Sequence, residues 1–164
     1  MIHHISISAQ DPERVARVIA ELWQAEALPF PPFPGAYIVV RNDGHGTAIE
    51  VSPLGLELRP GEGDQEVQPR MNDRFSPYTA THAAISVEIN EERIREIAAR
   101  EGWRVGTFDR GGAFRLIEFW VEDRFMLELL TPAMARRYLD VMTPEGYAEI
   151  FQLDRPRAEE QLVA

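Results

Sequence analysis

The sequence repeats itself at a fixed step. His4 lies 46 residues before Glu50, His82 lies 46 residues before Glu128, and the two pairs are offset by 78 (4 to 82, 50 to 128). The segments between them match at an offset of 79: Asp11 with Asn90, Val15 with Ile94, Val18 with Ile97. Self-similarity of this length marks two copies of one supersecondary unit, with one extra residue in the second strand-to-helix turn. A chain built this way must bury both copies in a related manner, and that excludes most other folds.

Each copy reads as strand, helix, then further strands. Residues 2–9 alternate, with Ile5 and Ile7 on one face and His4, Ser6 and Ser8 on the other. Asp11-Pro12-Glu13 is a helix start, and Val15, Val18, Ile19, Leu22 and Trp23 form one apolar stripe behind it. The run Pro29-Phe30-Pro31-Pro32-Phe33-Pro34 ends regular structure and allows at most an irregular edge strand. Tyr37–Val40 and Thr47–Ser52, joined by a polar turn, predict a hairpin. In the second copy Thr81–Ile89 predicts a strand, Asn90 caps a helix that Gly102 ends, and Trp103–Asp109, Phe114–Val121 and Phe125–Leu130 predict three more strands. Pro132 opens one C-terminal helix and Thr143-Pro144-Glu145 another, with Tyr147, Ile150 and Phe151 on the buried side of the latter and a polar, frayed tail beyond it. The expected division is a first module at 1–58, a connector at 59–80, a second module at 81–131 and a helical extension at 132–164. The fold class is α+β: two βαβββ modules forming a cupped mixed sheet, helices on its outer face, and C-terminal helices added.

Alternation sets the chemistry. His4, Glu50, His82 and Glu128 each take the face opposite the apolar residues of their own strand, so all four point to the concave side. Unpaired carboxylates there would cost several kcal/mol if buried, of the order expected for buried ions. A divalent cation held by two carboxylates and two neutral imidazoles removes that cost. The chain has no cysteine, so disulfides, thiolate sites and cysteine nucleophiles are excluded, and a metal must be held by imidazole and oxygen. The formal net charge of −10 disfavours nucleic acid and anionic membrane as partners. No run approaches the ~20 apolar residues of a membrane span, and no signal-like segment opens the chain, which predicts a cytoplasmic location.

His4 in HISIS, Glu50 in AIEVS, His82 in HAAISV and Glu128 in MLELL together resemble the vicinal oxygen chelate superfamily, which includes glyoxalase I, extradiol dioxygenases, fosfomycin-resistance enzymes and bleomycin-resistance proteins. The resemblance covers roughly residues 2–131. It implies that His4, Glu50, His82 and Glu128 are the ligands of one divalent metal (Ni, Co, Zn, Mn or Fe). It also implies that two cupped modules enclose each site, paired within one chain or exchanged across a homodimer. The expected activity is that of a glyoxalase-like lyase or isomerase: the metal stabilises an enediolate on a small oxygenated substrate, and Glu50 or Glu128 acts as the base. An extradiol-type Fe(II) dioxygenase would use His4, His82 and Glu128 alone, which leaves Glu50 in the way. A metal-free antibiotic- or metabolite-binding protein is the third reading. Related bacterial glyoxalases grip glutathione with an Arg and an Asn where this chain has Ser8 and Leu54, so glutathione does not carry over. Arg59, Arg70 and Arg74 in the connector leave an anionic substrate open. Glu118 is expected in a cross-strand salt bridge, and His3 and His45 at the surface.

Overall fold

The computed structural model describes residues 2–76 and 78–152, the side chain of Phe151 excepted. The tail expected to fray lies outside the described residues beyond Gln152. The first module contains β1 (His4–Ala9), α1 (Pro12–Trp23), β2 (Glu26–Pro29), β3 (Tyr37–Val40) and β4 (Ala48–Pro53). The second contains β7 (Ala83–Ser86), α2 (Glu91–Glu101), β8 (Val105–Asp109), β9 (Arg115–Val121) and β10 (Phe125–Leu130). Between them β5 (Leu56–Arg59) and β6 (Gln68–Met71) make a separate hairpin, and α3 (Pro132–Val141) and α4 (Pro144–Phe151) follow.

The repeat is a repeat of topology. One sheet runs β1-β4-β3-β2 and the other β7-β10-β9-β8, with the first pair parallel and the rest antiparallel in each. The helices start where the caps demand. Asp11 accepts from the Arg14 amide and Asn90 from the Arg93 amide, which satisfies a donor the first turn would otherwise leave open. Gly102 ends α2 at φ 74°, a left-handed conformation open to a residue without Cβ.

Both helices lie on the same side of the sheets and share one core. Val15, Ile19 and Leu22 of α1 and Ile94 and Ile97 of α2 pack with Val39, Ile49, Val51, Phe119, Leu127 and Leu129. Each such side chain contributes roughly 1.5–3 kcal/mol on burial. The helices are also clamped to each other. Glu21 takes Arg93 and Arg100 at 2.7 Å each, and Glu101 takes Arg14 at 2.8 Å. Glu122, in the β9–β10 turn, accepts from the amides of Gln10 and Asp11 and so ties the second module to the first.

The strand Glu26–Pro29 lies at the sheet edge and stops where the Pro-Phe run begins, as expected, and its terminal proline removes no needed ladder donor. Other expectations need correction. The connector is not patternless, since β5 and β6 pair from Leu56↔Met71 to Arg59↔Gln68 and begin before residue 59. β7 spans four residues rather than nine, which leaves His82 just ahead of it. Tyr147, expected on the buried side of α4, is 44% exposed, whereas Ala148 is buried; the Phe151 side chain lies outside the described residues.

The C-terminal helices have a visible job. Leu116 and Leu130 lie on the same faces of β9 and β10 as Glu118 and Glu128, yet they are 0% and 3% exposed. α3 packs against both strands, with Phe114 stacked edge-on against Tyr138 and Arg137 bonded to the Ala113 carbonyl. One end of the second module's concave face is thereby roofed.

Candidate metal centre

In the first module, the parallel ladder sets Ser6 beside Glu50 and His4 beside Ala48. The apolar face of the same strands is closed by Ile7, Ile49 and Val51, so His4, Ser6 and Glu50 project from the other. His4 Nε2 stands 3.8 Å from Glu50 Oε1, and the Ser6 hydroxyl donates to Glu50 Oε2 at 2.5 Å.

The second module repeats the pair. Glu128 lies beside Ala84, and His82 Nε2 stands 4.0 Å from Glu128 Oε2. Neither imidazole is hydrogen-bonded to its carboxylate at these separations. His82 Nδ1 is 2.9 Å from the Ala80 carbonyl oxygen. A carbonyl only accepts, so Nδ1 is a proton-bearing nitrogen and Nε2 is the nitrogen on the Glu128 side. A backbone carbonyl orienting the far nitrogen is the usual support of a metal-ligating histidine.

The imidazoles are open, at 58% and 47% exposure, whereas the carboxylates are 15% and 13% exposed. Among the described residues, no three His, Asp or Glu side chains gather closely enough to hold a metal ion. A single chain thus divides the quartet into two His–Glu pairs. His4 and His82 do line one open cavity of about 480 Å³ at the seam between β1 and β7, with Trp23, Arg41, Thr47 and Tyr138.

The sequence reading missed Arg110. Its guanidinium donates from Nη2 to Glu118 Oε1 and to Glu128 Oε1, at 2.9 Å each, and both bonds hold it more firmly in its charged form. Glu118 and Glu128 are direct cross-strand partners, and Trp120 Nε1 donates to the other oxygen of Glu118. The available signal was electrostatic: two acids facing each other on adjacent strands call for a cation. Arg110 supplies it from the Arg-Gly-Gly turn, a segment that reads as a simple break. Glu118 is therefore in a salt bridge as expected, with Glu128 as a third member.

The remaining candidates lie elsewhere. His3 and His45 are both exposed, the His3 ring resting on the His45 carbonyl. Arg59 is paired with Glu57 at 2.8 Å and lines a surface hollow of about 270 Å³ with Arg70 and Arg74. Ser8 and Leu54 share a different cavity of about 240 Å³ with Phe75, Tyr78 and Arg124.

No protein-family model matches the chain, and no characterised protein matches it by sequence. Solved structures do match its fold. A fosfomycin resistance protein, FosX, from Listeria monocytogenes, complexed with Mn(II) and sulfate, superposes with a TM-score of 0.53 at 17% identity, covering 85% of this chain and 96% of its own. A point mutant of the same protein, complexed with Mn(II) and 1S,2S-dihydroxypropylphosphonic acid, gives 0.52 at 17% identity over 84% and 94%. A glyoxalase family protein from Bacillus anthracis gives 0.50 at 15% identity over 79% and 92%. No helix among the described residues is long and apolar enough to cross a membrane.

Proposed function

We propose that this chain is a divalent-metal-dependent enzyme of the glyoxalase-like type, with each site built from His4 and Glu50 of one copy and His82 and Glu128 of a second. The observation that carries the reading is the matched pair of half-sites, with Nε2–carboxylate separations of 3.8 and 4.0 Å at the same step of both modules. Imidazole and carboxylate suit Mn, Fe, Co, Ni and Zn alike. The open imidazoles can be reached by another chain, and each pair alone is half a coordination set. The Mn(II) complexes of the FosX neighbours are consistent with such a centre.

When bound, the cation would supply Lewis-acid stabilisation to an oxygen of a small oxygenated substrate, lyase or isomerase chemistry being the class this favours. The residues of the chain do the rest. His4 and His82 fix position through neutral rings, the latter oriented by Ala80. Glu50 and Glu128 are the carboxylates within reach to move a proton at carbon. Glu50 shares His4's face, which crowds the open positions that O₂ chemistry would need and places the dioxygenase reading second.

The test uses metal counting and mixing. Chelated protein given Mn(II), Co(II), Ni(II), Zn(II) or Fe(II) should regain about one ion per chain, as a four-ligand set of this kind requires. His4→Ala and His82→Ala should each lose it. Co-expressed in one cell, the two variants should form mixed dimers with one intact site, because one chain keeps its first half-site and the other its second. Full metal retention in both variants would overturn the centre. Their joint failure to recover any metal would overturn the exchange between copies.

A further inference from the structure

One difference between the two half-sites is not explained by the repeat: a second acid stands beside Glu128. Glu118 faces Glu128 directly across the β9–β10 ladder, and the two carboxylates are 17% and 13% exposed. At the equivalent step of the first module the residue opposite Glu50 is Ile38. Left alone, Glu118 and Glu128 would form a carboxylate pair open on the concave face, which is what a hard, oxygen-seeking cation such as Ca²⁺ selects.

Arg110 prevents this by the way it divides the oxygens. One guanidinium nitrogen binds Glu118 Oε1 and Glu128 Oε1, while Glu128 Oε2 is the oxygen turned toward His82. Glu118 Oε2 is occupied by the Trp120 indole. Of the four carboxylate oxygens in the cluster, only Glu128 Oε2 is presented to the histidine.

We infer that Arg110 is the specificity-determining residue of the second half-site, bridging Glu118 and Glu128 so that the metal meets His82 with a single carboxylate oxygen and hard, carboxylate-seeking cations are disfavoured. The inference rests on the metal-centre reading above. Arg110 acts through Glu128 and Glu118, so it is a positioning residue, and its removal has a direction that a merely structural role would not produce.

The experiment is calorimetric titration of the chelated full chain with Ca(II) and with Co(II). In Arg110→Met the affinity for Ca(II) should rise by about tenfold or more relative to Co(II), as the freed oxygens of Glu118 and Glu128 become available. Adding Glu118→Gln to that variant should reverse the gain, whereas Glu118→Gln alone should leave the Ca(II)/Co(II) ratio within about twofold of the parent, because Arg110 still holds Glu128. If Arg110→Met weakens both cations alike, or if Glu118→Gln alone lowers Ca(II) affinity, the inference is overturned. Should Arg110→Met not fold, Arg110→Gln decides: a neutral side chain that cannot hold both carboxylates as an ion should give a shift of the same sign, and no shift would sink the proposal. Failure of the parent to bind Co(II), or binding that survives His82→Ala, would instead overturn the metal centre itself.

Discussion

Glu50 and Glu128 stand at the same step of two copies of one module, each beside a histidine and each on the face away from the core. Their surroundings nevertheless differ in kind. Glu50 is met by a hydroxyl, from Ser6, and by an apolar cross-strand neighbour, Ile38. Glu128 is met by a guanidinium and a second acid, and a helix covers the end of its sheet. What repetition preserves is the topology and the pair that faces the concave side; what it leaves free is everything that tunes that pair. One module holds its carboxylate with a neutral group. The other fixes its carboxylate with an ionic bridge.

The largest expected effect tests the roof over the second module. Leu116→Ala removes a fully buried side chain beneath α3 and should destabilise the protein by about 2–5 kcal/mol in urea unfolding. Ile38→Ala, on the corresponding face of β3, is half-buried and should lower stability by about 1 kcal/mol. Equal losses at the two positions would show that the concave faces are equally covered and would erase this part of the contrast.

A smaller effect tests the ionic bridge against the hydroxyl. Arg110→Ala leaves Glu118 and Glu128 opposed with no cation between them and should destabilise by roughly 1–3 kcal/mol, with partial recovery in high salt as the repulsion is screened. Ser6→Ala removes one neutral donor from Glu50 and should lower stability by about 1 kcal/mol, with little salt dependence. Denaturant midpoints of both variants at low and high salt decide between them. A salt-insensitive Arg110→Ala would mean that the guanidinium acts through packing alone.

Much of this was legible in the sequence, for a physical reason. Helices α1 and α2 announce themselves through Asp11 and Asn90, because an N-cap satisfies a local donor and local chemistry is written locally. The positions of His4, Glu50 and Glu128 away from the core follow from strand alternation, as the burial of Ile7, Ile49 and Leu127 shows, whereas His82 lies just ahead of its strand. The β5–β6 hairpin was hidden because its strands pair only with each other: the alternation of Leu56 and Leu58 in β5 is too short to stand out, β6 is exposed throughout with no apolar alternation, and Pro69 reads against a strand. Arg110 was hidden because its partners are 8 and 18 residues away. A turn residue shows its local role in sequence, whereas its reach across a sheet appears only once the register is known.

The smallest effect concerns what the modules share. Glu21 on α1 holds Arg93 and Arg100 of α2, and the hydrogen bond from Arg100, aided by both positive charges, keeps its carboxyl below the ordinary 4.5. Burial pushes Glu101 the opposite way, but hydrogen bonds from Arg100 and Arg14 outweigh it and lower that carboxyl too. A carboxylate depressed by folding contributes stability that is fully present above its unfolded value and is lost as pH falls through the folded one. The clamp's contribution should therefore be constant with pH near neutrality and be lost as pH falls below about 4.5, the unfolded value of these groups. Glu21→Gln should lower stability at pH 7 by about 1 kcal/mol or less, since the pairs are largely exposed. In that variant the acid-side decline should be shallower by the contribution of one carboxylate. Because the clamp joins the helices of both modules, the loss should fall on the two together: amide exchange should speed up in β4 and β10 to a similar degree. A change confined to one sheet would mean that the modules unfold separately, and the contrast between their half-sites would then reflect two independent units sharing a chain.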